Sequence, residues 1–277
     1  MSTEAAVPAH VDGGGGVTDC ARWARTHVPH GVGLPVARFG EGHPDAGWRV
    51  RVALLHGPVD TEHPDLAGAR TTTWPGVRGL HPGTPDPLST AYAALLVGQG
   101  RAQVRGLVPA AHLLVAPVLA AGRQHADELV ARAVRWAVAE GAHVVALPIA
   151  RRRLGRRLSV TLRRATAAGV TVLAPAGDRG PHDVAFPASV TGVVAVAAHD
   201  GEHLLPGASE LADVAAPGQD VPGAGPAGTT PLSGSAPATV LAAGAAAAAR
   251  SALALELFGS LHGDPPLPQG WTTHGAG

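Results

Sequence analysis

The chain has 277 residues, 45% of them hydrophobic, and its 21 basic and 21 acidic residues leave a net charge of zero. A chain of this length and apolar content can bury a large core, which excludes intrinsic disorder. The charge balance disfavours nucleic-acid and anionic-membrane binders, because both need a basic excess. The sequence contains no lysine and no asparagine, so chemistry that needs a lysine amine or an asparagine amide is excluded.

Apolar runs and helical spacings divide the chain into regular elements. Residues 1–47 are predicted to form a partly mobile N-terminal extension, with a short helix over 17–27. Short apolar runs predict buried strands at Val52–Leu55, His112–Pro117, Val144–Leu147, Val170–Ala174, Val193–Ala197 and Leu211–Ala215. Helical spacing is found between and after them, at Thr90–Val97, Ala126–Glu140, Leu158–Ala168 and 236–257. Glycine and proline predict a loop over 67–88 and a mobile tail over 258–277.

Strands that alternate with helices predict a fold of the α/β class. Such βαβ units build three layers, a mainly parallel sheet with helices on both faces. The predicted domain covers residues 48–257. Parallel sheets place ligand sites at the carboxyl ends of their strands, which here are His56, Pro148 and residues 176–178.

Several classes of site and compartment are disfavoured by the residues. Cys20 is the only cysteine, so no internal disulfide is possible. The N-terminus lacks the pattern of a secretory signal, and the apolar segment 236–257 is interpreted as a buried helix. No histidine or carboxylate spacing predicts a metal site, and no glycine-rich phosphate loop predicts a nucleotide. We therefore expect a cytoplasmic protein without metal or cofactor.

Eight segments, in order along the chain, resemble those of one family. Residues 52–66 (VALLHGPVDTEHPDL) match the segment that carries the catalytic aspartate in subtilisin-like serine proteases, and 234–244 (GSAPATVLAAG) match the segment of the nucleophilic serine. The other matches are at 89–98, 106–111, 142–150, 168–178, 186–188 and 214–218. The chain is thus similar to this family over about residues 48–255, and the resemblance implies a subtilisin-like three-layer fold.

The sequence departs from the family at each position that carries catalysis. The resemblance assigns the aspartate to His56, the histidine base to Leu88, the nucleophile to Ala236 and the oxyanion asparagine to Asp178. Leu88 cannot accept a proton, Ala236 has no oxygen, and an ionised Asp178 would repel an oxyanion. The simplest role for His56 is to fill the vacated space and bond to backbone. We therefore expect a pseudoprotease.

A cleft of this kind binds peptide as an added strand, which depends on backbone more than on side chains. The resemblance assigns peptide binding to Leu147, Pro148, Ile149, Ala150 and Arg151. We expect the partner to be a peptide or a protein, either a catalytically intact protease or a biosynthetic enzyme, in the maturation of a peptide natural product. Nucleic acid and membrane are not expected partners, and the oligomeric state stays open.

Alternative interpretations remain open. An active serine endopeptidase would pair Ser233 or Ser235 with His56, since both serines precede the nucleophile position. A small-molecule enzyme would need an acid–base pair of His56 with Asp178. A structural subunit would need neither. The arginine-rich run 151–157 fits either an acidic peptide or phosphate ligand, or a solvated surface.

Overall fold

The structure is a computed structural model that describes residues 16–262, apart from 28, 30–31, 41, 77–82, 120–126, 153–154 and 227. The predicted extension up to residue 15 and the predicted tail from residue 263 lie outside the described residues. A parallel sheet of seven strands forms the centre of the molecule.

The strands follow one another along the chain as β1 (Thr18–Asp19), β2 (Arg51–His56), β3 (Arg70–Thr73), β4 (Val104–Arg105), β5 (His112–Pro117), β6 (Val144–Ala146), β7 (Thr171–Pro175), β8 (Val194–His199), β9 (Val214–Pro217), β10 (Val221–Gly225) and β11 (Gly228–Leu232). The central sheet has the order β3-β5-β2-β6-β7-β8-β9, and every pair in it is parallel. The predicted α/β class with a parallel sheet is confirmed.

The helices are α1 (Cys20–Thr26), α2 (Pro87–Val97), α3 (Asp127–Ala139), α4 (Arg156–Ala167) and α5 (Ser235–His262). They cover both faces of the sheet. On β2, Val52 and Leu54 belong to the apolar cluster that includes α2 and α5, whereas Ala53 and Leu55 belong to the cluster that includes α3 and α4. Successive strand residues point to opposite faces, so this alternation defines the three layers.

Helix α5 packs on the sheet through β6 to β9 and against α2. Its Ser235–Ala254 segment is long and apolar enough to cross a membrane, and 56% of that segment is buried inside the protein. Core helices of soluble proteins meet the same length and hydropathy test. The burial agrees with the prediction of a buried helix.

Some elements differ from the sequence-based prediction. Strand β3 lies in the segment predicted as a loop, because its threonine-rich run pairs with β5 at the sheet edge. The antiparallel hairpin of β10 and β11 was also missed, since glycine and proline interrupt its pattern. Helix α2 begins at Pro87, three residues early, because Asp86 caps it and proline suits a first helical turn. Helix α5 continues to His262, five residues beyond the predicted end.

Candidate functional site

The four positions that the resemblance assigns to catalysis lie near the carboxyl edge of the sheet. His56 is the last residue of β2, and Asp178 follows β7. Leu88 and Ala236 are the second residues of α2 and α5, the helices that cover one face. Leu88 is 37% exposed, and Ala236 packs against the core. The fold therefore brings the ends of these four elements to one region of the molecule.

His56 is buried and bonded to a serine that the sequence analysis did not single out. Its Nδ1 lies 2.7 Å from Ser89 Oγ. The same oxygen lies 2.5 Å from Asp86 Oδ2 and accepts the Gly57 N–H at 2.9 Å. Because a carboxylate only accepts, the single Ser89 proton goes to Asp86. Ser89 must then accept from His56, which makes His56 the tautomer that carries its proton on Nδ1.

This arrangement keeps the His56 imidazole neutral at pH 7. Burial lowers the pKa of His56 to about 4, and the charge of Asp86 opposes that shift only in part. The Tyr92 ring lies edge-on to the imidazole, with the ring centroids 5.2 Å apart. His56 Nε2 has no hydrogen-bond partner among the described residues. Unlike His199 Nε2, which is buried without a partner, it is not sealed from solvent. It is therefore the ring atom that solvent reaches.

The expectation that His56 bonds to backbone was wrong, since its partner is a side chain 33 residues away. A local signal for that partner was present in the sequence. The segment Asp86-Pro87-Leu88-Ser89 has a helix-capping residue followed by a proline. Asp86 caps α2 by accepting Ser89 N–H at 3.0 Å, which places the serine hydroxyl beside the end of β2.

Asp178 caps the other helix of the site. Its carboxylate accepts the Ser235 N–H at 3.2 and 3.3 Å and the Ser235 hydroxyl at 2.9 Å. A carboxylate at a helix N-terminus is favoured both by the unpaired N–H groups and by the helix dipole. Asp178 is thus exposed but engaged, and its role in this structure is to fix the start of α5.

The serine pairings required by the active-endopeptidase alternative do not form. Ser233 is exposed and its hydroxyl accepts the Asp220 N–H at 3.1 Å, while Ser235 is bonded to Asp178. In the described part of the chain, the serine bonded to His56 is Ser89, which is 0% exposed. Its oxygen already takes part in three hydrogen bonds, so a substrate carbonyl cannot approach it.

The acid–base pair of the small-molecule alternative does not form either. Among the described residues, His56 Nδ1 lies 3.7 Å from Asp86 Oδ2, and no such contact joins His56 to Asp178. A general base must lie within hydrogen-bond reach of the proton that it moves. In the same part of the chain, no group of three or more His, Cys, Asp or Glu side chains could hold a metal ion.

The predicted peptide-binding segment follows β6. Leu147, Pro148 and Ile149 are buried, and Ala150 is exposed. Ile149 N–H donates to Leu147 C=O at 2.7 Å, whereas no backbone group of the described residues accepts the Ala150 N–H. Arg151 forms an antiparallel bridge with Phe186, and its guanidinium bonds to Asp127. The side chains are therefore mostly internal, and Ala150 offers the accessible backbone.

Comparison with known proteins assigns this architecture to a family. The sequence model of the subtilase family of peptidases matches residues 47–257. The chain belongs to the subtilase family. Subtilisin BL and Subtilisin Savinase of Lederbergia lenta are each 31% identical to it over 229 residues, which cover 79% of this chain and 83% of the relative.

Solved structures give the same result for the fold. A mutant of the protease domain of PatA superposes with a TM-score of 0.69 at 29% identity, over 78% of this chain and 83% of that domain. PagA, described as a prenylagaramide maturation protease, has a TM-score of 0.64 at 28% identity, over 75% of each chain. The three-layer, subtilisin-like architecture predicted from the sequence is confirmed.

Proposed function

We propose that this chain is a subtilase-family protein that binds an extended peptide without cleaving it. The observation that carries the proposal concerns Ser89, the serine bonded to His56 among the described residues, whose hydroxyl has no free hydrogen-bonding capacity. Ser89 is completely buried, and its hydroxyl is shared among His56, Asp86 and a backbone N–H. A serine nucleophile needs a free oxygen beside a base and facing the substrate.

The residues at the other positions that the resemblance assigns to catalysis support the same proposal. Alanine at 236 supplies no nucleophile, and leucine at 88 supplies no base. The carboxylate of Asp178 places negative charge where the resemblance puts an oxyanion donor. Loss of a triad residue lowers the rate of such enzymes by on the order of 10⁴–10⁶, so the combined changes support the proposed lack of peptide hydrolysis.

Peptide binding requires less of the site than catalysis does. A peptide that adds as a strand is held by main-chain hydrogen bonds. Ala150 is exposed and its N–H is not accepted by the backbone of the described residues. Buried neighbours on one side and the Arg151–Phe186 bridge on the other hold this segment in place. Such a fixed, open donor is suited to accept a ligand carbonyl.

The solved structures suggest a setting for this binding. PatA is described as a patellamide maturation protease and PagA as a prenylagaramide maturation protease. We place the present chain in a similar process, as a binder of the precursor peptide or of a biosynthetic partner rather than as the hydrolase. This part of the proposal rests on likeness of fold at 28–30% identity.

Catalytic inactivity is tested by covalent labelling. The full chain is treated with a fluorophosphonate probe, beside an active subtilisin as positive control. We expect no labelled serine. The matched variants are Ser233→Ala and Ser235→Ala, since these were the alternative nucleophiles. Labelling that disappears in either variant would overturn the proposal and restore an active endopeptidase.

Peptide binding is tested with a pool of random fluorescent hexapeptides, measured by anisotropy. The decisive variant is Ala150→Pro, which removes the backbone N–H, and its matched control is Ala150→Ser, which keeps it. We expect Ala150→Pro to weaken binding about tenfold, because a lost hydrogen bond and the added ring act together. The control should stay within about twofold. Thermal melts establish that both variants are folded, and equal binding by both would refute the strand-addition mode.

A further inference from the structure

A strong local excess of positive charge lies on α3, on α4 and in the loop that precedes α4. Between residues 127 and 168 the chain has nine of its 21 arginines and only three carboxylates. We call the exposed ones that the structure describes the arginine face: Arg132, Arg135, Arg152, Arg156, Arg157, Arg163 and Arg164. Since the whole chain is neutral, this excess is local.

The face contains a groove between the two helices. It has a volume of about 530 Å³ and is lined by Arg135 from α3, by Arg156 and Arg157 from α4, and by Glu128. The Glu128 carboxylate lies 3.4 Å from Arg135 and 3.2 Å from Arg157. One carboxylate is thus held between guanidinium groups of two helices. The guanidinium groups that line the groove are therefore spaced so that a carboxylate fits between them.

Most of the face lacks such a partner. Within the described part of the chain, the ion pairs leave Arg132, Arg152, Arg156, Arg163 and Arg164 without a carboxylate. Clustered like charges repel one another, and this repulsion lowers the stability of the folded state. The stability of the fold therefore does not explain why these arginines are clustered.

The N-terminus of α4 gives a second, independent reason. Arg156 and Arg157 occupy its first turn, the first turn has no acidic residue, and Gly155 provides no side-chain cap. Cations at a helix N-terminus oppose the helix dipole and are unfavourable by about 0.3–1 kcal/mol each. The exposed arginines here act against the stability of their own helix, as expected for a surface that meets an external anion.

We propose that the arginine face binds a carboxylate-rich extended segment of a partner polypeptide. Arginine forks match carboxylates through paired N–H donors, and the two oxygens of Glu128 already contact Arg135 and Arg157, one guanidinium each. Helices of 12 and 13 residues are about 18–20 Å long, the span of about six extended residues. The groove between α3 and α4 does not include Ala150, so the face adds a second point of recognition to the proposed function.

The test uses the full chain and a fluorescein-labelled hexaglutamate peptide, followed by anisotropy. The decisive variant is Arg156→Glu/Arg163→Glu, which reverses two unpaired charges one above the other on α4. We expect it to weaken binding about tenfold or more, because two attractive contacts become repulsive. The matched control is Arg22→Glu/Arg101→Glu, with the same charge change at exposed sites elsewhere; it should stay within about twofold.

Three results would overturn the proposal. These are the absence of hexaglutamate binding at low salt, an equal loss in the control variant, and tighter binding of a single-stranded hexanucleotide at the same ionic strength. The last result would assign the face to nucleic acid. Raising the salt from 50 to 200 mM should weaken hexaglutamate binding, since exposed charges are screened. Ala150→Pro should leave this binding unchanged, so failure of the face and failure of the cleft are distinguishable.

Discussion

Acid should destabilise this protein through His56, and a single substitution should reveal how much of the effect belongs to that residue. Burial lowers the pKa of His56 to about 4, from 6.5 in the unfolded chain. The unfolded state therefore binds a proton at pH 5 that the folded state does not. The stabilisation from a neutral His56 is complete above pH 6.5 and is lost as the pH falls towards 4.

The size of this effect follows from the two pKa values. One pKa unit corresponds to about 1.4 kcal/mol. Between pH 7.5 and pH 4.5, His56 alone should lower the free energy of unfolding by roughly 2.5 kcal/mol. Burial also lowers the pKa of His199 to about 4, so that residue adds a similar loss. Together they should remove roughly 5 kcal/mol, which is a large part of the stability of a typical domain.

The assay is urea denaturation at a series of pH values, followed by circular dichroism. His56→Gln keeps a polar side chain beside Ser89 but cannot gain a proton in the unfolded state. It should be less stable than the wild type at pH 7.5, yet lose about 2.5 kcal/mol less on acidification. The matched control is His182→Gln at an exposed position, which should retain the wild-type slope. Identical slopes for His56→Gln and the wild type would refute the neutral, buried imidazole.

Three further substitutions test the framework of the site by thermal and urea unfolding. Asp65→Asn should lower the free energy of unfolding by about 2–4 kcal/mol, because the buried Asp65 carboxylate accepts three backbone N–H groups and an amide cannot accept all of them. A change below about 0.5 kcal/mol would contradict this role. Gly106→Ala should lower the free energy of unfolding by about 1–3 kcal/mol, since the new Cβ would lie 2.4 Å from the backbone oxygen of Leu96. The control Gly40→Ala places its Cβ in open space and should leave the free energy of unfolding nearly unchanged. Asp178→Ala should cost about 0.5–2 kcal/mol through loss of the α5 cap, and Asp178→Asn should restore most of it. Equal costs for the last pair would mean that Asp178 does not act as a cap.

Much of the fold could be predicted from the sequence. Strand β5 was predicted with its observed bounds, and α3 and β7 to within one or two residues, because long apolar runs and periodic spacing are local properties. The short edge strand β3 and the hairpin of β10 and β11 were missed. These strands are made by pairing with a partner, and their own residues carry a weak pattern.

The candidate site, too, could be predicted only in part from the sequence. The identities of His56, Leu88, Ala236 and Asp178 were read directly from the aligned segments. The role of Ser89 was not, because its bond to His56 joins the end of β2 to the start of α2, 33 residues apart. Local capping chemistry predicted a helix start at that point, but only the packing of α2 beside β2 brings the hydroxyl to the imidazole.

The sequence by itself determined which groups these positions lack: the 277 residues contain no asparagine amide, and alanine at 236 has no hydroxyl oxygen. These statements depend on residue identity alone, so no conformation alters them. The tertiary structure decided what surrounds these positions. It placed Ser89 between His56 and Asp86, used Asp178 as a helix cap, and brought arginines of α3 and α4 to one groove. Hydrogen bonds and electrostatic interactions between side chains require short distances in space. Packing sets those distances, and position along the chain does not.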